Sequence, residues 1–210
     1  MDQSSSVINF SDIEFRLLKG SDISKYKSEL ASIRIEIFRD FPYLYEGDLE
    51  YEEKYVKVYE RSKESLVVLA VHEGRVVGAT TALPLRDETD YLKKPLVENN
   101  FSIDNIFYFG ESILKNQYRG LGVGKKFFEF RERHAMSFKK YSTTCFCAVT
   151  RPENHPSKPS TYAPLDNFWI NMGYKKDPRL IASFPWKDIG DAIETEKPMT
   201  YWLKEWKNEF

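Results

Sequence analysis

The chain is poor in the residues that build metal and redox centres, with two cysteines and three histidines among 210 residues. His72, His134 and His155 stand at no recognisable ligand spacing, so no metal site is expected. Cys145 and Cys147 lie two apart, which on a strand points both to one face, and buried reduced thiols are the expectation. An excess of charge of one sign is lacking too. Thirty-one Lys and Arg against 32 Asp and Glu leave a net charge of −1, which supplies no field to draw the chain onto nucleic acid or anionic lipid. Anion binding must therefore be local. No apolar run approaches membrane-spanning length, and the opening Met1-Asp-Gln-Ser-Ser-Ser-Val7 has neither a basic n-region nor an apolar h-region. A soluble cytoplasmic protein is expected. Internal repeats and low-complexity tracts are also missing.

What the sequence does have is aromatic bulk: 15 Phe, 13 Tyr and 4 Trp in a chain that is 41% hydrophobic. That is enough to fill one core, and the length is short for two. The expectation is a single domain over 1–210 with 1–11 flexible. Ile13-Glu-Phe-Arg-Leu17 alternates as a strand, Ser21-Asp22 caps a long amphipathic helix ending near Phe41-Pro42, and Asp48 to Lys63 carries Tyr51, Tyr55 and Tyr59 along one side of a second helix. That stripe is read as packing. Leu66 to Val71 and Arg75 to Leu83 form a hairpin about His72-Glu-Gly74. Pro84 to Asn100 reads as a long connection, with or without a short helix, able to cover a site. Asn105 to Leu114, Gly124 to Lys140 and Thr143 to Thr150 then make a strand, helix, strand unit that implies parallel pairing. Arg151 to Ala163 holds three prolines and is irregular; Leu165 to Met172 is a short helix closed by Gly173; Leu180 to Phe184 and Met199 to Leu203 are the last strands.

One stretch carries chemistry: Gln117-Tyr-Arg119-Gly120-Leu121-Gly122-Val123-Gly124-Lys125-Lys126, set between a strand and a helix. Glycines at alternate positions let the backbone turn tightly with its N–H groups uncovered, and the following helix aims its positive end at the same spot. This is a cradle for phosphate or pyrophosphate, and Lys115, Arg119, Lys125 and Lys126 add charge to it. A Walker loop is excluded, because position 119 is Arg and Lys125 is followed by Lys126. A dinucleotide fingerprint beginning at Gly120 is weak, because position 125 is Lys where a small residue is required.

The remaining pattern, Gln117-x-x-Gly120-x-Gly122, resembles the pyrophosphate motif of the GNAT superfamily of acyl-CoA-dependent N-acyltransferases. The element order matches that family over nearly the whole chain, and Asn167-Phe-Trp169-Ile-Asn-Met-Gly173-Tyr174 resembles its later helix. The resemblance implies an α+β fold of three layers, with a mixed, mostly antiparallel sheet of six to seven strands splayed between the fourth and fifth. It implies acetyl-CoA as co-substrate and no metal, with backbone N–H groups from Arg119 through Lys125 on the pyrophosphate and the backbone of Ser112, Ile113 and Leu114 along the pantetheine arm. Glu111, on the strand leading into the slot, is the first choice of base, with a strand-end salt bridge as its other reading.

The departure from the family pattern is Trp169, where many members place a tyrosine that protonates the departing thiolate; indole cannot supply that proton. Tyr162 and His155, in the proline-rich segment, are the substitutes considered. Tyr43, Tyr45 and Glu46 are expected near the acceptor, and Asp166 as a cap or an amine contact. The expected reaction moves an acetyl group directly to a primary amine of a small molecule or peptide. Two rivals stand beside it: a non-catalytic acyl-CoA-binding module without the tyrosine acid, and a nucleotide site in an unrelated enzyme. Neither nucleic acid nor membrane is expected as a partner, and Tyr201-Trp-Leu-Lys-Glu-Trp206, read as a terminal strand, leaves room for a homodimer through an edge or a face.

Overall fold

Alternation of apolar residues sorts the strands into a two-faced sheet. The computed structural model describes residues 8–206, and its strands are β1 (Glu14–Leu18), β2 (Leu66–His72), β3 (Arg75–Pro84), β4 (Ile106–Leu114), β5 (Thr143–Val149), β6 (Lys175–Trp186) and β7 (Thr195–Glu205). They form one sheet in the order β1-β2-β3-β4-β5-β7-β6. All neighbours are antiparallel except β4 and β5, which run parallel as the strand, helix, strand reading requires.

Val67, Leu69, Val71, Tyr108, Cys145, Cys147 and Tyr201 share a core with α1 (Lys27–Phe38), α2 (Leu49–Arg61) and α3 (Asp90–Glu98). Their sequence neighbours Leu66, Val68, Phe107, Phe109, Phe146 and Trp202 pack instead with α4 (Val123–Ser137) and α5 (Asp166–Asn171). The two-residue period of a strand makes this split, and the result is a three-layer α+β arrangement.

Local signals account for several boundaries. Asp48 caps α2, its carboxylate accepting the Tyr51 N–H at 2.8 Å. Glu73 and Gly74 turn the β2–β3 hairpin with φ of 50° and 75°, the pair of left-handed residues that a two-residue hairpin loop favours. Other expectations are corrected. The first helix does not begin at Ser21: Gly20–Tyr26 is a 3-10 turn, and the α-helix starts at Lys27. The connection after β3, read with or without a short helix, holds one, α3, where Leu92 and Leu96 are buried and outweigh Pro95 inside the helix. Asp166 does not cap α5; Leu165 holds that position without a side-chain bond. His72 is not simply solvated, since its Nδ1 lies 3.1 Å from the Tyr118 hydroxyl.

Most consequential, β7 is an interior strand between β5 and β6, so the segment from Tyr201 presents no edge for a homodimer. Of the segment expected to be flexible, residues 1–7 lie outside the described residues, and Phe10–Asp12 forms a 3-10 turn.

Candidate functional site

The glycine loop is built as its sequence demands. After a 3-10 turn at Asn116–Tyr118, Gly120 and Gly122 adopt φ of 78° and 95°, and Gly122 is the N-cap of α4. The first N–H in the helical ladder is that of Lys126, which donates to the Gly122 carbonyl at 3.1 Å. The preceding first-turn N–H groups therefore have no intrahelical acceptor; no side chain caps this end and no acidic residue sits in the first turn. At Gly124 a Cβ would lie 3.5 Å from the Phe168 ring of α5, an ordinary contact.

The expected basic residues are partly committed elsewhere. Lys115 pairs with Glu36 and Lys126 with Glu129, each at 2.8 Å, while Arg119 Nε donates to the Leu114 carbonyl at 3.2 Å. What the loop offers an anion is thus chiefly the positive end of α4 and its backbone donors.

β4 and β5 are paired only at their starts, where Ile106, Phe107 and Tyr108 face Thr143, Thr144 and Cys145. Beyond Tyr108 the strands part, and the β4 edge carrying Ser112, Ile113 and Leu114 has no strand on the β5 side. A bulge accompanies the splay: pairing with β3 shifts between Thr80 and Ala82, opposite Gly110 and Glu111. Thr81 Oγ1 accepts the Glu111 N–H at 3.1 Å, Thr80 Oγ1 donates to the Glu111 carbonyl at 2.6 Å, and Arg131 Nη1 reaches the same carbonyl at 3.4 Å. Only glycine fits at 110, because a Cβ would collide with the Tyr59 hydroxyl and with Thr81 Oγ1.

On the α1–α3 side, the bulge meets a buried polar cluster. Arg34 of α1 ion-pairs with Glu52 of α2 and, at 2.5 Å, with Glu111 Oε2. Its guanidinium stacks 4.1 Å over the Tyr55 ring. Burial works against this cation, but Glu111, Tyr55 and Glu52 outweigh it and hold its pKa well above the ordinary arginine value. The Tyr55 hydroxyl lies 3.0 Å from that of Tyr59 and 3.4 Å from Glu111 Oε2. Glu111 is thus engaged as an ion pair, the other reading of this residue in the sequence.

Of the tyrosine stripe on α2, Tyr59 is core, Tyr55 reaches the cluster, and Tyr51 is exposed. Nearby, Tyr108 and Cys147 form a hydroxyl–thiol contact of 3.1 Å. Burial pushes the Cys147 thiol up to about 12, which removes it as a thiolate nucleophile at neutral pH. Both cysteines are free and buried.

A strapped roof covers this side. Arg151, directly after β5, donates to the carbonyls of Pro42 (2.8 Å) and Tyr43 (2.6 Å) and forms a two-pronged pair with Asp188 at 2.7 and 2.9 Å. Trp186 Nε1 also donates to the Tyr43 carbonyl at 3.1 Å, and Tyr45 bridges to Asp188. The α1–α2 loop is thereby fixed to the β6–β7 connection. Tyr43 packs between Phe38 and Trp186, and burial first, then the neighbouring Cys147, pushes its phenol pKa up.

The structure brings His155 and Tyr162 together on Phe41, with ring centroids 5.6 and 4.7 Å from it. Trp169 is packed 5.1 Å from Phe146 and 5.0 Å from Trp202. Sequence reasoning missed Arg34 and Glu88, both buried. The signal available was a charged residue inside an apolar run, Ile33-Arg34-Ile35, and for Glu88 none.

Among the described residues, no group of three or more His, Cys, Asp or Glu is placed to hold a metal ion, and no helix is long and apolar enough to cross a membrane.

No family model and no curated protein matches the sequence. Solved structures match over 92–95% of the chain. A ribosomal-protein-alanine N-acetyltransferase from Brucella melitensis is 14% identical, with 92% of this chain and 99% of that one covered and a TM-score of 0.58. NAA60 of Arabidopsis thaliana, in complex with a bisubstrate analogue, is 13% identical over 94% and 99%, with a TM-score of 0.60. An acetyltransferase of the GNAT family from Streptococcus pneumoniae is 14% identical over 93% and 99%, with a TM-score of 0.55. With its splayed parallel strands and glycine loop, the chain has the fold of the GNAT-family acetyltransferases.

Proposed function

We propose that the protein is an acyl-CoA-dependent N-acetyltransferase that moves the acetyl group of acetyl-CoA directly to a primary amine of a small molecule or peptide. The observation that carries this reading is the glycine loop: its uncapped N–H groups stand at the N-terminus of α4, beside the open edge of β4. The residues fit the co-substrate. Backbone donors from Arg119, Gly120, Leu121, Gly122, Val123, Gly124 and Lys125 suit a pyrophosphate, with Gln117 at the turn that leads into them. The edge at Ser112, Ile113 and Leu114 suits an amide-bearing arm that pairs as a strand would. A cytoplasmic location, where acetyl-CoA is at hand, belongs to the same reading.

Transfer needs a neutral amine, polarisation of the thioester and a proton for the leaving sulfur. The parted strand supplies backbone donors for the developing oxyanion. Glu111, fixed by Arg34, supplies an anionic wall that attracts an ammonium; to act as the base itself it must give up the contact of Oε2 with Arg34, so its part is electrostatic. Tyr162 is assigned the proton for sulfur as the tyrosine of the segment after β5, seated on Phe41 with ring centroids 4.7 Å apart. His155 stands beside it on Phe41, with Nδ1 accepting the Ser157 N–H at 3.1 Å, and its assigned part is to hold Tyr162 in place.

The test is a calorimetric titration with acetyl-CoA, with CoA, NAD and ATP as controls, followed by turnover on a panel of primary amines. Selective binding of acetyl-CoA with amine-dependent release of CoA is the expected result. Binding without turnover supports the non-catalytic module, and preference for NAD or ATP defeats the acyl-CoA reading.

A further inference from the structure

Glu88 follows the 3-10 turn Leu85–Asp87 at the end of β3, and no sequence motif singles it out. The residue is 4% exposed. One carboxylate oxygen, Oε2, accepts the Thr89 N–H at 3.2 Å; the other, Oε1, is buried with no hydrogen-bond partner among the described residues. An orphaned buried oxygen of this kind is costly and rarely kept without a use.

The charged and titratable groups near enough to act on it electrostatically are Glu111 and Tyr108 of β4, Arg34 of α1, Lys93 of α3, Tyr55 and Tyr59 of α2, Cys147 of β5 and Tyr201 of β7. Most of these have other commitments. Tyr201 donates to the Leu92 carbonyl at 2.6 Å, Tyr108 contacts Cys147, Tyr55 and Tyr59 contact each other, and Lys93 pairs with Asp90 at 3.0 Å. The charges do not balance: Arg34 is shared by Glu52 and Glu111, which leaves Glu88 without a contacting cation. An ammonium group offers three N–H donors and one positive charge, and it suits a wall of tyrosine rings.

We propose that Glu88 is a catalytic carboxylate whose Oε1 binds the ammonium of a primary-amine acceptor and takes one proton from it. The proposal rests on the acyl-transfer reading above. The freed nitrogen lone pair forms the N–C bond at the thioester carbon, and the C–S bond breaks with its electron pair on sulfur. Tyr162 gives its proton to sulfur and regains one from the second N–H of the nitrogen, so CoA leaves as the thiol and the amide is neutral. Glu88 returns its proton to water. Burial first, and then the charge of Glu111, raise Glu88 to about 7, where it accepts a proton more readily than an ordinary carboxylate.

The experiment compares the full chain with Glu88→Gln and Glu88→Asp. Acetyl-CoA binding is measured by calorimetry, and kcat/KM is measured from pH 5.5 to 9 on an amino acid, a diamine, an aminoglycoside and a peptide with a free α-amine. The wild type is expected to show a limb rising through about pH 7. Glu88→Gln is expected to keep acetyl-CoA affinity within about twofold, to lose at least about 100-fold in kcat/KM on the preferred amine and to lose that limb; Glu88→Asp is expected to recover part of the rate. Amine turnover by Glu88→Gln within about threefold of wild type, with an unchanged profile, overturns the role of Glu88 alone. A wild type that binds no acetyl-CoA, or binds it and acetylates none of the amines, overturns the acyl-transfer reading and this inference with it.

Discussion

At the scale of single residues, buried charge decides the character of the site. Arg34 is the one cation in ion-pair contact with Glu52 and Glu111, so Arg34→Met strands two carboxylates in the core. A loss of roughly 3–5 kcal/mol of stability is expected, read as a lower urea midpoint. A loss below about 1 kcal/mol would show that the cluster is wetter than its burial implies. Glu88 makes a pH-dependent contribution with a defined sign. Its folded pKa of about 7 lies above the 4.5 of an ordinary glutamate, so the folded protein binds this proton more tightly than the unfolded chain. The associated stability is present in full below pH 4.5 and is lost as pH rises through about 7. Relative to Glu88→Gln, the wild type should lose roughly 3 kcal/mol across that window, measured by denaturation at pH 4.5 and 8. Equal slopes for the two proteins would mean that Glu88 titrates normally. Glu111 was legible as a residue of interest because it precedes the glycine motif on the same strand. Its partner was not, since Arg34 lies 77 positions away and reaches it only through packing.

At the scale of elements, the loop and helix around Gly122 were the most legible part of the chain. Glycine spacing, a helix start and a preceding strand are local properties, and the backbone adopts the left-handed φ values that such spacing calls for. Gly122→Val forces a β-branched residue into φ of 95°, at a local cost of about 1–2 kcal/mol, and crowds the N–H donors. Acetyl-CoA affinity should fall at least tenfold with a cooperative unfolding transition retained, measured by calorimetry and circular dichroism; unchanged affinity would move the pyrophosphate elsewhere. The β4 bulge was not legible. It depends on Thr80 and Thr81 of β3 and Arg131 of α4 converging on one peptide, and on Gly110 leaving room for Tyr59, contacts that join residues far apart in sequence. The helix after β3 was only half legible for a related reason: Pro95 is a local breaker, while burial of Leu92 and Leu96 is a tertiary gain that outweighs it.

At the scale of the whole molecule, the side proposed for the acceptor is a composite of three connections, α1–α2, β5–α5 and β6–β7, joined by Arg151 and Asp188. Burial works against the Asp188 carboxylate, yet Arg151 and then Lys197 hold its pKa below the usual value. Arg151→Met should release the roof, raising KM for the amine several-fold while acetyl-CoA affinity stays the same. Hydrogen exchange should quicken in 39–48 and 187–190, as expected when a strap between loops is cut. An increase confined to acetyl-CoA dissociation would place the strap on the other substrate.

The sequence by itself determined the strand order, the parallel β4–β5 unit and the glycine loop, because each rests on periodicity or backbone freedom within a short window. Only the tertiary structure decided that β7 is interior, that Glu111 is ion-paired, that Trp169 is packing, and that Glu88 lies buried with an orphaned oxygen. Those outcomes depend on which distant side chains meet and which charges are left unbalanced when they do.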